Sequence, residues 1–218
     1  TRKDFLAERP DYDERKVKVV YLAADAKFKP TSSPDIREKY GIKTKKYFLA
    51  VSELTERKNF EHLVKAFLRF LNESKAEDVS LAIIGVKRAG YEALNRLVAE
   101  QKSHQDKIVL TGFVADEDMA ALYSQAEVFI YPSLYEGFGL PVLEAMQCGT
   151  AVVCSDNSSL PEVGGDAVQY ISGHDEAETA RVLSELYYNN TLKEKLKIQG
   201  LERAKYFSWK RSVDEIFK

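Results

Sequence analysis

Short apolar runs alternate along this chain with longer stretches in which apolar positions recur every third or fourth residue, and glycine, proline or small polar residues mark most boundaries. Residues 17–22, 47–51, 79–84, 108–110, 128–131 and 151–154 read as strands. Residues 35–40, 60–71, 91–102 and 116–126 read as helices. The clearest helix carries Phe60, Leu63, Val64, Phe67, Leu68 and Leu71 on one face, with Asn59 expected to cap it. Gly41 ends the helix before it, and Asp116 is expected to cap the one that runs to Ala126. From Glu176 to Phe217 the pattern is helical with breaks near Asn189-Asn190 and Ser208, and Arg2-Lys3-Asp4-Phe5-Leu6 suits a short helix. Strands and helices alternating at this spacing predict a parallel sheet with helices on both faces, a doubly wound, Rossmann-like α/β domain. Such sheets bind ligands at the C-terminal ends of their strands.

One stretch organises the rest. Residues 133–149 read Ser-Leu-Tyr-Glu-Gly-Phe-Gly-Leu-Pro-Val-Leu-Glu-Ala-Met-Gln-Cys-Gly, directly after the apolar run that ends at Tyr131. Two glycines allow a tight loop, and Pro141 suits the first turn of a helix, so the segment predicts strand, glycine loop, helix. Unpaired amides and the positive dipole end at the helix start would seat an anion such as phosphate. Glu136 on the loop and Glu144, expected in the first helical turn, bracket that seat with seven residues between them. Carboxylates repel phosphate, so both must address something else, and sugar or ribose hydroxyls are the natural donors to them. Against this stands a plainer reading of each: Glu136 as a solvated loop acid, and Glu144 as an acid placed favourably on a helix dipole.

In these residues the chain resembles the retaining glycosyltransferases of family 4, enzymes of the two-domain GT-B architecture whose C-terminal half carries Glu-x7-Glu within Glu-Gly-Phe-Gly-Leu-Pro. The resemblance runs from about Val17 to Phe207 and is sharpest in residues 136–149. It implies that residues 17–207 form the nucleotide-sugar-binding C-terminal domain. Residues 1–16 would then be the tail of the N-terminal acceptor domain or a linker, and residues 208–218 the start of a helix crossing back to that domain. Both ends of the chain are thus expected to be trimmed, and the chain alone is expected to bind donor without turnover. The resemblance makes Lys58 a clamp on the donor diphosphate, with Arg57 beside it. It gives Glu144 the ribose hydroxyls and Glu136 the transferred sugar, which Glu136 orients rather than attacks; a nucleophilic role stays open until distances are known. Ser52, Gly137, Phe138, Gly139 and Leu140 would complete donor binding, with Phe113 and Val114 either flanking the base or packing in the core. Many members carry glycine and arginine where this chain has Ser52 and Glu53, and Arg57 is the candidate to supply the missing cation. Taken without the family, Arg57 and Lys58 are a basic pair near a helix start, partly offset by Glu61.

Composition narrows the picture. At 218 residues, with 32 basic and 34 acidic side chains and a net charge of -2, the chain suits one sizeable core and carries no basic run that marks a nucleic-acid partner. No apolar stretch reaches the ~20 residues that span a bilayer. Cys148 and Cys154 read as buried, reduced thiols, which favours the cytoplasm, and peripheral contact with the inner face of a membrane is left to the acceptor domain. His62, His104 and His174 read as surface or packing residues, and no metal cluster or cofactor is expected. Asp11-Tyr12-Asp13 and Asp116-Glu117-Asp118 have the letters of an Asp-x-Asp metal site but the wrong context. A dehydrogenase-type dinucleotide domain would use Gly137-x-Gly139 and Asp156, yet Val142 stands where its third glycine belongs. A non-catalytic nucleotide-binding module is the remaining alternative.

Overall fold

The computed structural model describes residues 2–217, so Thr1 and Lys218, the outermost residues of the expected tail and crossing helix, lie outside the described residues. Six strands form one fully parallel sheet: β1 (Lys46–Val51), β2 (Val79–Ile84), β3 (Ile108–Gly112), β4 (Val128–Tyr131), β5 (Val152–Ser155) and β6 (Gln169–Ile171). Their order is β3-β2-β1-β4-β5-β6, so the order reverses between β1 and β4. A crevice opens at such a reversal because the crossover segments leave in opposite directions from two adjacent strands.

Helices cover both faces, as parallel strands buried on two sides require. One face packs against α3 (Phe60–Glu73), α4 (Tyr91–Glu100) and α8 (Glu176–Tyr188). Its centre is aromatic: Phe48 of β1 meets Phe67 and Phe70 of α3 and Tyr187 of α8 at centroid distances of 6.0, 5.6 and 6.4 Å. The other face packs against α5 (Met119–Gln125), α6 (Leu140–Gln147) and α7 (Leu160–Gly164), and α9 (Asn190–Ala204) lies across α6. There Gly200 of α9 lets the backbones approach, since a Cβ would sit 3.3 Å from the Met146 side chain.

Residues 17–22 join no strand, contrary to the sequence pattern. Tyr21 packs against Phe138 and Phe207 with ring centroids 6.2 and 5.6 Å away, whereas Val19 and Leu22 stay exposed; Ala23 and Ala24, just beyond, are buried. The edge strand β6 and the short helix α7, by contrast, are too brief for a periodic signal and were not foreseen. Asn59 stands at the N-cap of α3, but its side chain makes no capping bond. It sits in the left-handed region (φ 60°), and its side-chain amide donates to the carbonyls of Pro132 (3.2 Å) and Gly173 (2.8 Å), tying the turn after β1 to the loops after β4 and β6. Asp116 caps no α-helix either. It opens a 3-10 turn and pairs with Lys27, while Asp118 pairs with Lys39 at 2.6 Å.

Where β1 ends, the next turn crosses so close to β2 that a Cβ on Gly85 would lie 1.9 Å from the Ser52 carbonyl oxygen. Gly85→Ala must therefore displace the turn that carries Ser52 to Lys58. Urea unfolding is expected to show a loss of about 3 kcal/mol, at the upper end for overpacking; a loss below about 0.5 kcal/mol would mean that the turn is not held against β2.

Candidate active site

The turn after β1 and the loop after β4 leave from adjacent strands on either side of the reversal, and they meet in a cluster around one carboxylate. Glu136 Oε1 accepts from Lys58 Nζ at 2.5 Å, from Ser133 Oγ at 2.6 Å and from the Tyr131 hydroxyl at 2.9 Å, and it pairs with an Arg57 guanidinium nitrogen at 3.1 Å. Lys58 Nζ also donates to the Tyr131 hydroxyl at 2.6 Å, closing a ring of three groups. Only 8% of Glu136 and 7% of Lys58 is exposed, which rules out the reading of both as solvated surface charges. Arg57 is half-exposed, and it donates to the Tyr135 carbonyl as well.

Burial by itself would raise the Glu136 carboxyl. The donors Lys58, Ser133 and Tyr131 outweigh it and hold the group below the usual glutamate value. Burial pulls the Lys58 ammonium down while Glu136 draws it back up, and burial together with Glu136 raises the Tyr131 phenol. The result is a charged pair and a neutral phenol packed together at the floor of the crevice.

Beyond Glu136 the loop turns into α6. Gly139 adopts φ 108°, and a Cβ there would lie 2.7 Å from Leu160, so neither backbone nor space tolerates a side chain. Among the described residues, the amides of Phe138, Gly139 and Leu140 donate to no protein acceptor, and Pro141 has none to offer, so the loop presents donors to the crevice. The segment after β5 fixes this loop from behind. Ser159 Oγ donates to the carbonyls of Glu136 (3.0 Å) and Phe138 (2.8 Å), the Glu136 amide donates to Ser158 Oγ (3.0 Å), and the Asn157 side chain donates to the Ser133 carbonyl (3.1 Å).

Glu144 lies one residue beyond the first turn of α6, because the helix begins at Leu140. It accepts from the Tyr123 hydroxyl at 2.9 Å, and burial raises its carboxyl against the lowering effects of Tyr123 and Lys27. Val114 is buried in the core, whereas Phe113 is 77% exposed. Ser52 lies half-buried at the mouth of β1, its amide on the Ile84 carbonyl. Glu53 points away to Arg88 at 3.0 Å, while Arg57 reaches the Glu136 carboxylate.

The other candidates stay outside the crevice. His62 is buried against Thr179 (3.0 Å), His104 meets Asn72 (3.1 Å), and both cysteines are free and buried, the Cys148 thiol pushed up to about 12 by burial. Asp13 holds its own turn and Arg15, and no cluster of three or more His, Cys, Asp or Glu suited to a metal occurs among the described residues. The sequence reading passed over Tyr131 and Ser133. Tyr131 was absorbed into an apolar strand pattern, although a hydroxyl-bearing residue at a strand's C-terminal end beside the glycine loop is a usable signal.

The profile of the family described as Glycosyl transferases group 1 matches residues 32–203. O-antigen chain mannosyltransferase B of Escherichia coli is 35% identical over 209 residues, covering 94% of this chain and 54% of its own length. Serotype-specific mannosyltransferase WbdA of Escherichia coli is 32% identical over 174 residues, covering 80% of this chain and 21% of its own. The chain thus spans about half or less of the length of these curated relatives. Among solved structures, that of Anabaena Alr3699/HepE in complex with UDP and glucose superposes with a TM-score of 0.85 at 19% identity, over 99% of this chain and 59% of the other. That likeness gives the fold, one half of the GT-B architecture, and the strand order and two-sided helix layers agree with it.

The charge pair makes a prediction with a definite sign. A carboxyl held below its unfolded value adds stability above that value and loses it as pH falls through the folded one. Lys58→Met should therefore cost roughly 2 kcal/mol at neutral pH, less than a pair sealed from water because Arg57 remains. The difference from the parent should narrow as acid protonates Glu136 below about pH 4.5. Denaturant titration across pH measures both, and a difference unchanged down to pH 3 would show that Glu136 is not the partner that matters.

Proposed function

This chain belongs to the glycosyl transferases group 1 family, and from that premise we propose that it is the donor-binding half of a retaining glycosyltransferase that moves a sugar, mannose in our reading, from a nucleoside diphosphate to a saccharide or lipid-linked acceptor. The observation that carries the proposal is the convergence of Lys58 and Arg57 on Glu136 beside the open amides of Phe138, Gly139 and Leu140. Two cations and a helix start suit a diphosphate, and a buried carboxylate suits sugar hydroxyls.

In the reaction, the bond between the anomeric carbon and the diphosphate oxygen breaks and negative charge grows on the leaving diphosphate. Lys58, Arg57 and the loop amides are placed to stabilise that charge, which is the protein's main lever on such a step. This reading asks no metal to do so. The leaving phosphate itself takes the acceptor's proton as the new bond forms on the same face, and Glu136 orients the sugar. Four donors at Oε1 hold the Glu136 carboxyl below its usual value and draw off its charge, which suits an acceptor of hydrogen bonds better than an attacking group. Glu144 takes the ribose hydroxyls, with Tyr123 turning its carboxylate and Lys27 nearby. The exposed ring of Phe113 is free to meet the base.

The mannosyl reading draws on the names of the two Escherichia coli relatives, and it places the chain in polysaccharide synthesis with GDP-mannose as donor. The acceptor side belongs to an N-terminal domain. Helix α10 (Trp209–Ile216) leaves Trp209, Val213 and Ile216 exposed, with Phe217 just beyond, and such a domain would cover them. Transfer needs both reactants held together across that junction, so the chain alone binds donor without turnover. No helix of the described residues is long and apolar enough to cross a membrane; a cytoplasmic place, with any membrane contact through the acceptor domain, completes the reading.

Calorimetric titration with GDP, UDP, ADP and NAD, each with and without magnesium, tests it. One nucleoside diphosphate should bind independently of the metal, and Lys58→Ala and Glu144→Ala should each weaken it roughly tenfold or more, about 1.4 kcal/mol per tenfold. Binding insensitive to both substitutions, or binding of NAD alone, would overturn the proposal.

A further inference from the structure

We propose that Tyr131 and Ser133 are positioning residues that keep the Glu136 carboxylate in place, aimed at the donor's sugar, when Lys58 turns from it to the diphosphate. The inference rests on the donor-binding reading above and goes beyond it, because neither residue belongs to the Glu-x7-Glu motif.

The geometry separates the two oxygens of Glu136. Oε1 collects Lys58, Ser133, Tyr131 and Arg57, whereas among the described residues Oε2 has no hydrogen-bond partner. A carboxylate tied at one oxygen and open at the other can lend the open one to a ligand hydroxyl. Yet the strongest tie, Lys58, is also the cation a diphosphate would recruit. If Lys58 alone positioned Glu136, binding the phosphates would release the very group that has to hold the sugar.

The two hydroxyls resolve this conflict. Tyr131 is 2% exposed at the end of β4, its ring 6.0 Å from Phe129 and stacked on it, so its hydroxyl cannot wander. Ser133 is fully buried two residues later. Both are neutral, so a diphosphate does not compete for them as it competes for an ammonium. The Tyr131 hydroxyl also accepts from Lys58 Nζ while donating to Glu136, and the ammonium lies 4.9 Å from the centre of the ring. That ring keeps Lys58 at the crevice floor while its third contact changes from carboxylate to phosphate. The charged and titratable groups facing Glu136 are Lys58 and Arg57 from the turn after β1 and Tyr131 from β4.

Tyr131→Phe keeps the ring and removes the hydroxyl, and Ser133→Ala removes the other donor; each is compared with the parent chain by calorimetry. The probes are GDP, UDP and ADP, each paired with GDP-mannose, UDP-glucose and ADP-glucose. The bound nucleoside diphosphate should lose less than threefold in affinity in either variant, while its nucleotide sugar loses roughly five- to twentyfold. The extra affinity conferred by the sugar should also vanish at a higher pH in Tyr131→Phe than in the parent, because a carboxylate with one donor fewer protonates more easily. Equal losses for the diphosphate and its sugar in both variants would overturn the proposal, as would an unchanged pH profile. If the parent chain binds none of the nucleotides, the donor reading itself fails and the proposal falls with it; diphosphate binding that is intact but indifferent to the sugar would refute only the role of Tyr131 and Ser133.

Discussion

The structure of the crevice depends on one constraint: Glu136 and Lys58 can be buried only together. Each alone would bring several kcal/mol of desolvation to the end of the sheet. Together with Tyr131, Ser133 and Arg57 they form a cluster in which most of the polar capacity is used. Because Lys58 belongs to the turn after β1 and Glu136 to the loop after β4, their union joins the two crossovers at the point where the strand order reverses. The glycine loop, its open amides and the start of α6 are placed by that union and by the serines that support it after β5.

Much of this was legible in the sequence for a physical reason. Strands buried on both faces are continuous apolar runs, and the four central strands, β1, β2, β4 and β5, stand where the pattern put them, as does the edge strand β3. The glycine loop was legible because a left-handed Gly139, Pro141 and two flanking acids serve few purposes at once. What misled was local logic overruled by distant contacts. Residues 17–22 have a strand's composition but pair with no strand; Tyr21 joins an aromatic cluster instead. Asn59 has the chemistry of a cap, yet its amide serves carbonyls 73 and 114 residues away. Asp116 likewise found Lys27 instead of its own helix. Tyr131 went unnoticed because a tyrosine in an apolar run looks like core, and most of its surface is; only the hydroxyl at its tip meets Lys58 and Glu136.

The same economy appears around Phe138. Its amide faces the crevice while its ring packs behind the loop against Phe207 at 5.8 Å and Tyr21 at 6.2 Å. A residue whose amide is left open beside the cluster thus has its ring held by side chains from near the two ends of the chain. The edge-to-face arrangement of Phe138 with Phe207, at 82°, suits an aromatic pair that fixes orientation as well as burying area.

That packing bears on how the molecule comes into being during synthesis. The Ser212 hydroxyl donates to the Tyr21 carbonyl at 2.6 Å across 191 residues of sequence, and Phe207 completes the wall behind the glycine loop. The sheet can assemble from β1 onward as the chain leaves the ribosome, since its neighbours in space are mostly neighbours in sequence. The back of the crevice cannot, because contacts of such separation close last. A nascent chain that has finished its sheet but not yet released α10 therefore has its cations and carboxylate near one another and the serines after β5 on the loop, while the Ser212 tie to Tyr21 is still missing.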